Sequence, residues 1–219
     1  MTARSRLICE IELEAPGRRT GFLRLMHSSH ESAYGWLPIP IAVIAHGAGP
    51  TVLLMAGNHG DEYEGQIALG RLIREVQPEQ VRGRLIILPA ANFPAARAGR
   101  RVSPIDGGNL NRIFPGDADG GVTGMIANHI EQVILPRCDA VVDLHSGGSS
   151  LMYVPSALVR RSADPAAFAR SIALLKAFGA PVSYIVQESQ GEDRTLTGAA
   201  NRQGVLHIGT ELGGGGQDR

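Results

Sequence analysis

The chain has 219 residues, of which 43% are hydrophobic and 19% charged, enough for one domain with a sizeable core or one domain plus a small appendage. Lys plus Arg equals Asp plus Glu at 21 each, so no global field recruits nucleic acid or an anionic membrane, and any charged ligand must be gripped by local groups. No apolar run approaches the ~20 residues of a membrane-spanning helix, and residues 1–14 lack the apolar block of a secretory signal.

Two cysteines, Cys9 and Cys138, are too few for a disulfide framework or a Cys-rich metal site and read as reduced thiols of a cytoplasmic protein. Residues 7–13, 21–26 and 39–45 carry strand patterns, and the polar, glycine-containing stretch 27–38 reads as a loop. From Thr51 the pattern becomes strand, loop, helix. Residues 51–56 form a continuous apolar run closed by Gly57, as in a strand buried on both faces. A helix is predicted over 64–76, with Ile67, Leu72, Ile73 and Val76 near one face and Pro78 beyond it.

Residues 84–89 predict a second buried strand. The stretch 90–121 has little periodicity and many Gly, Pro and Asn residues, and so long an irregular segment in a compact domain points to function. Ile126, Ile130, Val133 and Ile134 mark a helix ending at Pro136. A buried strand over 140–144, a helix over 165–178, a strand over 182–186, a short helix over 196–202 and a last strand over 205–211 complete the pattern. This alternation predicts an α/β fold with a mixed, largely parallel sheet and helices on both faces, preceded by a β-rich segment over 1–48.

In such sheets ligands gather beyond the carboxyl ends of the strands. Three polar clusters fall at that point: Gly57-Asn-His-Gly-Asp-Glu62, Asp143-Leu-His-Ser-Gly-Gly148 and Thr210-Glu-Leu-Gly213. His59 and Glu62 lie three apart across a strand-to-helix turn, and His145 arrives from another strand. Two histidines and a glutamate with an open fourth position form the ligand set of catalytic zinc, one ion per chain, because the free position admits a water whose pKa falls to ~7. The alternatives are a His59 helix cap, a Glu62 serving the helix dipole and a His145 bonded to a loop carbonyl. Asp143, two before His145, suits the orientation of a ligand or a plain strand-end acid.

Gly57-Asn-His-Gly-Asp-Glu62, Asn109-Leu-Asn-Arg-Ile-Phe-Pro-Gly116, Asp143-Leu-His145 and Thr210-Glu211, in order from about residue 50 to 216, resemble the succinylglutamate desuccinylase/aspartoacylase family. The resemblance implies a zinc carboxypeptidase-like fold, zinc on His59, Glu62 and His145, and a catalytic domain over 49–219. It implies that Glu211 takes a proton from the attacking water and later delivers one to the leaving amine. Arg101 matches the arginine that polarises the scissile carbonyl, with Arg100 as the neighbouring alignment. Asn111 and Arg112 match the pair that holds the substrate carboxylate. The N-terminal stretch and residues 103–108 look most like N-acetyl-diaminobutyrate deacetylases, so the implied substrate is a small N-acyl amino acid.

The chemistry agrees with that resemblance. Amide hydrolysis needs a nucleophile, a base near the water and positive charge where the oxyanion forms. An arginine fork suits a carboxylate through paired hydrogen bonds. Peptide trimming by a zinc carboxypeptidase, or a non-catalytic metal-binding fragment, are the alternative readings. Members of the family usually continue into a smaller β-rich domain, which the chain, ending at Arg219, is expected to lack.

Remaining signals are weaker. His27 and His30 share ligand-like spacing without a third partner, and a structural role is expected. His46, His129 and His207 are expected on the surface or in loops. Residues 213–216 lack the Lys-Ser/Thr of a phosphate loop and are expected to let backbone approach a substrate. No Gly-x-Ser-x-Gly elbow occurs. The oligomeric state is left open, a homo-oligomer included.

Overall fold

The computed structural model describes residues 5–29, 33–162, 164–187 and 193–215. Apolar runs of five or six residues dictate the centre of the molecule, where strands β4 (Thr51–Ala56), β5 (Gly83–Leu88), β6 (Ala140–His145) and β9 (Leu206–Glu211) lie parallel. The N-terminal strands β1 (Leu7–Cys9), β2 (Gly17–Met26) and β3 (Trp36–His46) add antiparallel to β5. Strands β7 (Ser156–Arg160) and β8 (Val182–Val186) extend the other side, β7 antiparallel to β9. The sheet order is β1-β2-β3-β5-β4-β6-β9-β7-β8.

Each face of the sheet carries its own core. One holds Leu53, Met55, Ile86, Leu88 and Val141 against α2 (Phe93–Ala98), α3 (Val122–His129) and α5 (Leu196–Arg202). The other holds Ala56, Ile87, Val142, Leu144 and Ile208 against α1 (Tyr63–Glu75) and α4 (Pro165–Phe178). Residues alternate between the two faces because strand side chains do. Truncating a side chain such as Leu53, fully buried here, costs roughly 2–5 kcal/mol in cores of this kind. Among the described residues, no helix is long and apolar enough to cross a membrane.

Several expectations shift. The strand expected over 7–13 is paired only over Leu7–Cys9, and β3 starts at Trp36, inside the stretch read as loop. Trp36 is drawn into the ladder opposite Met26, where its ring meets Phe22 edge-on at 5.9 Å and the Arg24 guanidinium at 4.6 Å. On α1 the inward face is Gly65, Leu69, Leu72, Ile73 and Val76, while Ile67 is exposed. Those five follow a helical i, i+4, i+7, i+8, i+11 spacing that Ile67 does not share. The helix predicted through 126–136 continues from α3 but widens into a π-type turn over Ile130–Ile134 and tightens over Leu135–Arg137 around Pro136.

A helix and a strand were not predicted. Helix α2 lies inside the irregular stretch, with Pro94 in its first turn, where its missing N–H is not needed. Strand β7 precedes α4 and bears Arg160. His129 and His207, expected on the surface, are both buried. His129 sits in α3, hydrogen-bonded through Nδ1 to the Ser5 hydroxyl at 2.7 Å, and burial pushes its pKa down to about 4, so the ring is neutral. His46 is exposed at the end of β3, as expected, and His27 is half-buried; His30 lies outside the described residues.

Candidate metal centre

The turn from β4 into α1 is shaped by backbone that comes too close for side chains. Gly57 adopts a φ of 72°, and a Cβ there would fall 2.9 Å from Ala90 Cα. At Gly60 a Cβ would lie 2.0 Å from the Ala95 carbonyl carbon. Only glycine meets both demands, and the result folds His59 and Glu62 back over the carboxyl ends of β4 and β6. His145 stands beside Glu211 in the parallel register of β6 and β9.

One potential ligand atom each of His59, Glu62 and His145 lies within 4.8 Å of the other two. His59 Nδ1 is 2.6 Å from Glu62 Oε1, and His145 Nδ1 is 2.7 Å from Glu62 Oε2. Each imidazole turns its other nitrogen to an anchored oxygen: His145 Nε2 to Asp143 Oδ2 at 2.9 Å, and His59 Nε2 to Asn109 Oδ1 at 3.2 Å. Asp143 can only accept, so His145 carries a proton on Nε2. The Asn109 oxygen is identified because it also accepts from Asn111 N–H at 3.1 Å. Both rings therefore present Nδ1 to the centre, as a metal requires. Two oriented imidazoles and one carboxylate fit a divalent ion.

The electrostatics follow from burial and partners. Burial pushes the Glu62 carboxyl up, but hydrogen bonds from His145 and His59 outweigh it and bring the pKa down to about 2. Burial likewise opposes the charge on Asp143, yet His145 and His207 hold that carboxyl well below the usual range. His145 loses solvation too, and the Asp143 and Glu62 carboxylates nevertheless raise it well above an ordinary histidine. Asn58, wholly buried, donates to both Asp143 oxygens at 2.8 and 3.1 Å. Asp61 accepts from the Ser149 backbone at 3.2 Å and hydroxyl at 3.0 Å, pinning the turn after β6.

The other named residues gather around this triad. Glu211 closes β9 with Oε2 buried and without a hydrogen-bond partner. Burial, with the nearby Glu62 and Asp143 charges, pushes its pKa up to about 7 against the pull of His145 and Arg101. Arg101 donates to Glu62 Oε1 at 3.3 Å, whereas Arg100 contributes its carbonyl to Gly60 N–H at 2.9 Å. Asn111 accepts from Leu196 N–H through Oδ1 at 2.8 Å, and its Nδ2 lies 3.2 Å from His145 Nε2. Arg112 is exposed and donates to the Asn111 carbonyl at 2.7 Å. A cavity of about 240 Å³ is lined by Asn111, Arg112, His145, Arg160, Thr195 and Glu211.

Helix α5 holds Asn111 in place, and it is itself braced. Arg202 makes paired hydrogen bonds at 2.9 and 2.8 Å to Glu131, a buried carboxylate on the π-type turn. Gly213 and Gly214 fold over the turn after β6, where the Gly213 carbonyl accepts from Gly147 N–H and Tyr153 N–H. Gly216 lies outside the described residues. Sequence reasoning gave no role to Asn58, Asn109, Asp61 or Arg160. The first three stand inside or beside the quoted motifs, whereas nothing marked Arg160.

Residues 48–219 match the succinylglutamate desuccinylase/aspartoacylase catalytic domain. The chain is 49% identical over 206 residues to the N-alpha-acetyl-L-2,4-diaminobutyric acid deacetylase of Halomonas elongata, covering 94% of this chain and 60% of that protein. It superposes with a TM-score of 0.93 and 47% identity on the product-bound ectoine utilization protein of Ruegeria pomeroyi, covering 99% of this chain and 66% of that one. The chain thus spans 60% and 66% of the lengths of these two relatives, less than two thirds of either. A metallo-carboxypeptidase from Burkholderia cenocepacia shares the fold at a TM-score of 0.65 and 17% identity, over 81% of this chain and 52% of that one, in line with the architecture expected from the sequence. The chain belongs to the succinylglutamate desuccinylase/aspartoacylase family.

Proposed function

We propose that the protein is a zinc-dependent amidohydrolase that deacylates a small N-acyl amino acid, N-acetyl-diaminobutyrate foremost. The observation that carries this reading is the convergence of His59, Glu62 and His145, with His145 level with a half-buried Glu211 whose Oε2 is buried without a hydrogen-bond partner. His59, Glu62 and His145 would hold the ion through Nδ1, a carboxylate oxygen and Nδ1. Zinc, when bound, supplies Lewis acidity that activates water and polarises a carbonyl.

The chain's own residues account for the rest. Glu211, pushed up to about 7, has the affinity for a proton that a base needs near neutral pH, and returns that proton to the departing amine. Arg101 brings positive charge to the carbonyl oxygen as it gains negative charge. Asn111 Nδ2 and the Arg112 guanidinium, both lining the cavity, donate to the substrate carboxylate. Asp143 and Asn109 hold the imidazoles in the productive tautomer.

A cavity of about 240 Å³ suits an acyl amino acid better than an extended peptide, which favours deacylation over carboxypeptidase action. We place the catalytic unit at residues 49–219, with 1–48 as its β-rich approach, and the protein in the cytoplasm. Metal analysis combined with hydrolysis assays on N-acetyl-diaminobutyrate, N-acetylaspartate and a dipeptide tests the reading. One zinc per chain with preference for the first substrate is expected. Absence of stoichiometric divalent metal, or faster cleavage of the dipeptide, overturns it.

A further inference from the structure

The reaction pocket shares a wall with a second, larger cavity. Arg160, Thr197 and His207 line both the pocket of about 240 Å³ and a cleft of about 420 Å³ beside it. Strands β7 and β9 run antiparallel, so Arg160, last in β7, comes level with the start of β9. The cleft therefore opens towards the end of the sheet away from the metal triad. Its outer side is helix α4, whose Ala167, Arg170 and Ser171 follow i, i+3, i+4 spacing. Phe168, Ile172 and Leu175 of the same helix pack into the core.

The lining is rich in donors and concentrates positive charge. Arg160, Arg161 and Arg170 meet there in a chain whose formal charges cancel overall. Asp164 is the one carboxylate among the described lining residues, and it caps α4 by accepting from Ala166 N–H at 2.9 Å. Arg161 lies over the Phe168 ring at 5.4 Å, a stacking that steadies the guanidinium plane while leaving its N–H edge available. Asn201 and Thr197 add uncharged donors from α5.

We propose that this cleft binds a small multivalent oxyanion, a dicarboxylate or a phosphate, at a second site distinct from the metal triad. Planar guanidinium groups donate parallel hydrogen bonds that match paired carboxylate or phosphate oxygens, and the volume lies within the range of small-molecule sites. This binding does not depend on the proposed deacylase activity.

Calorimetric titration of succinate, inorganic phosphate and acetate into metal-free and zinc-loaded protein tests the site. Succinate or phosphate is expected to bind one per chain in both forms, more tightly than acetate, and the tighter of the two identifies the source of the oxyanion. Arg170→Gln is expected to weaken it about tenfold. Ser171→Glu, which sets a carboxylate on the same face of α4, is expected to do so by at least as much. Turnover without added anion is expected to match the wild type in both variants. Absence of binding, unchanged affinity in both variants, or binding confined to zinc-loaded protein overturns the proposal.

Discussion

Two sides of the metal centre hold the same residue type in opposite states. On the α1 side, Glu62 is buried between two imidazoles and its pKa falls to about 2. On the β9 side, Glu211 is half-buried with its Oε2 unpartnered, and its pKa rises to about 7. Burial acts in the same direction on both, so the partners decide the difference. A carboxylate kept ionised by cationic neighbours suits a ligand, and one kept near neutrality suits proton transfer. Paired carboxyls whose environments drive them apart mark acid–base sites in general.

That contrast is tested most severely by exchanging each glutamate for its isosteric amide. Glu62→Gln is expected to abolish stoichiometric metal binding, read by elemental analysis after dialysis, and turnover with it. Glu211→Gln is expected to keep the metal and to lower kcat by about 10²–10⁴-fold, the usual worth of a general base. Metal loss in both variants, or full turnover in the second, breaks the division of roles.

The supporting oxygens offer a finer test. Asn109→Ala removes the acceptor that holds His59 Nε2, and is expected to weaken metal affinity by roughly 10–100-fold with little loss of thermal stability. Competition with a chromogenic chelator reads this directly. An unchanged affinity means that the His59 tautomer is set elsewhere.

Acidity gives the smallest and most graded effect. In the metal-free protein His145 is raised well above an ordinary histidine by Asp143 and Glu62, so a divalent ion must displace its proton. Metal affinity is expected to fall as pH drops from 8 to 6, with proton release on loading, visible as a buffer-dependent calorimetric heat. Stability of the metal-free form follows two signs. Glu62 and Asp143 are depressed, so their contribution is present above the unfolded carboxylate pKa and is lost as pH falls. His145 is raised, so its contribution is complete below the unfolded histidine pKa and fades as pH rises through the folded value. The melting temperature of metal-free protein is therefore expected to peak between these limits.

The clusters that end β4, β6 and β9 were legible because apolar runs closed by Gly, His and Asp announce buried strands and the polar turns at their carboxyl ends. His59, Glu62, His145 and Glu211 fall in those clusters, and their family pattern fixed their order along the chain. Arg160 was illegible for a physical reason. It ends a short strand that precedes α4, and only the antiparallel pairing of β7 with β9 carries it to the pocket wall. His207 failed similarly, because its burial between strands and α5 leaves no trace in local polarity.

Sequence by itself determined which strands are buried on both faces, that Gly57 closes the first of them, and which side chains stand at the strand ends. These are local consequences of hydrophobic periodicity and backbone sterics. Tertiary structure alone decided that Glu62 spans two histidines, that Asn109 and Asp143 turn both rings inward, and that Glu211 Oε2 is buried without a hydrogen-bond partner. Those outcomes depend on distances between residues up to 152 positions apart (59 to 211), and on water excluded by the packed whole. A carboxylate's charge is set by what surrounds it, and the chain's linear order does not list its surroundings.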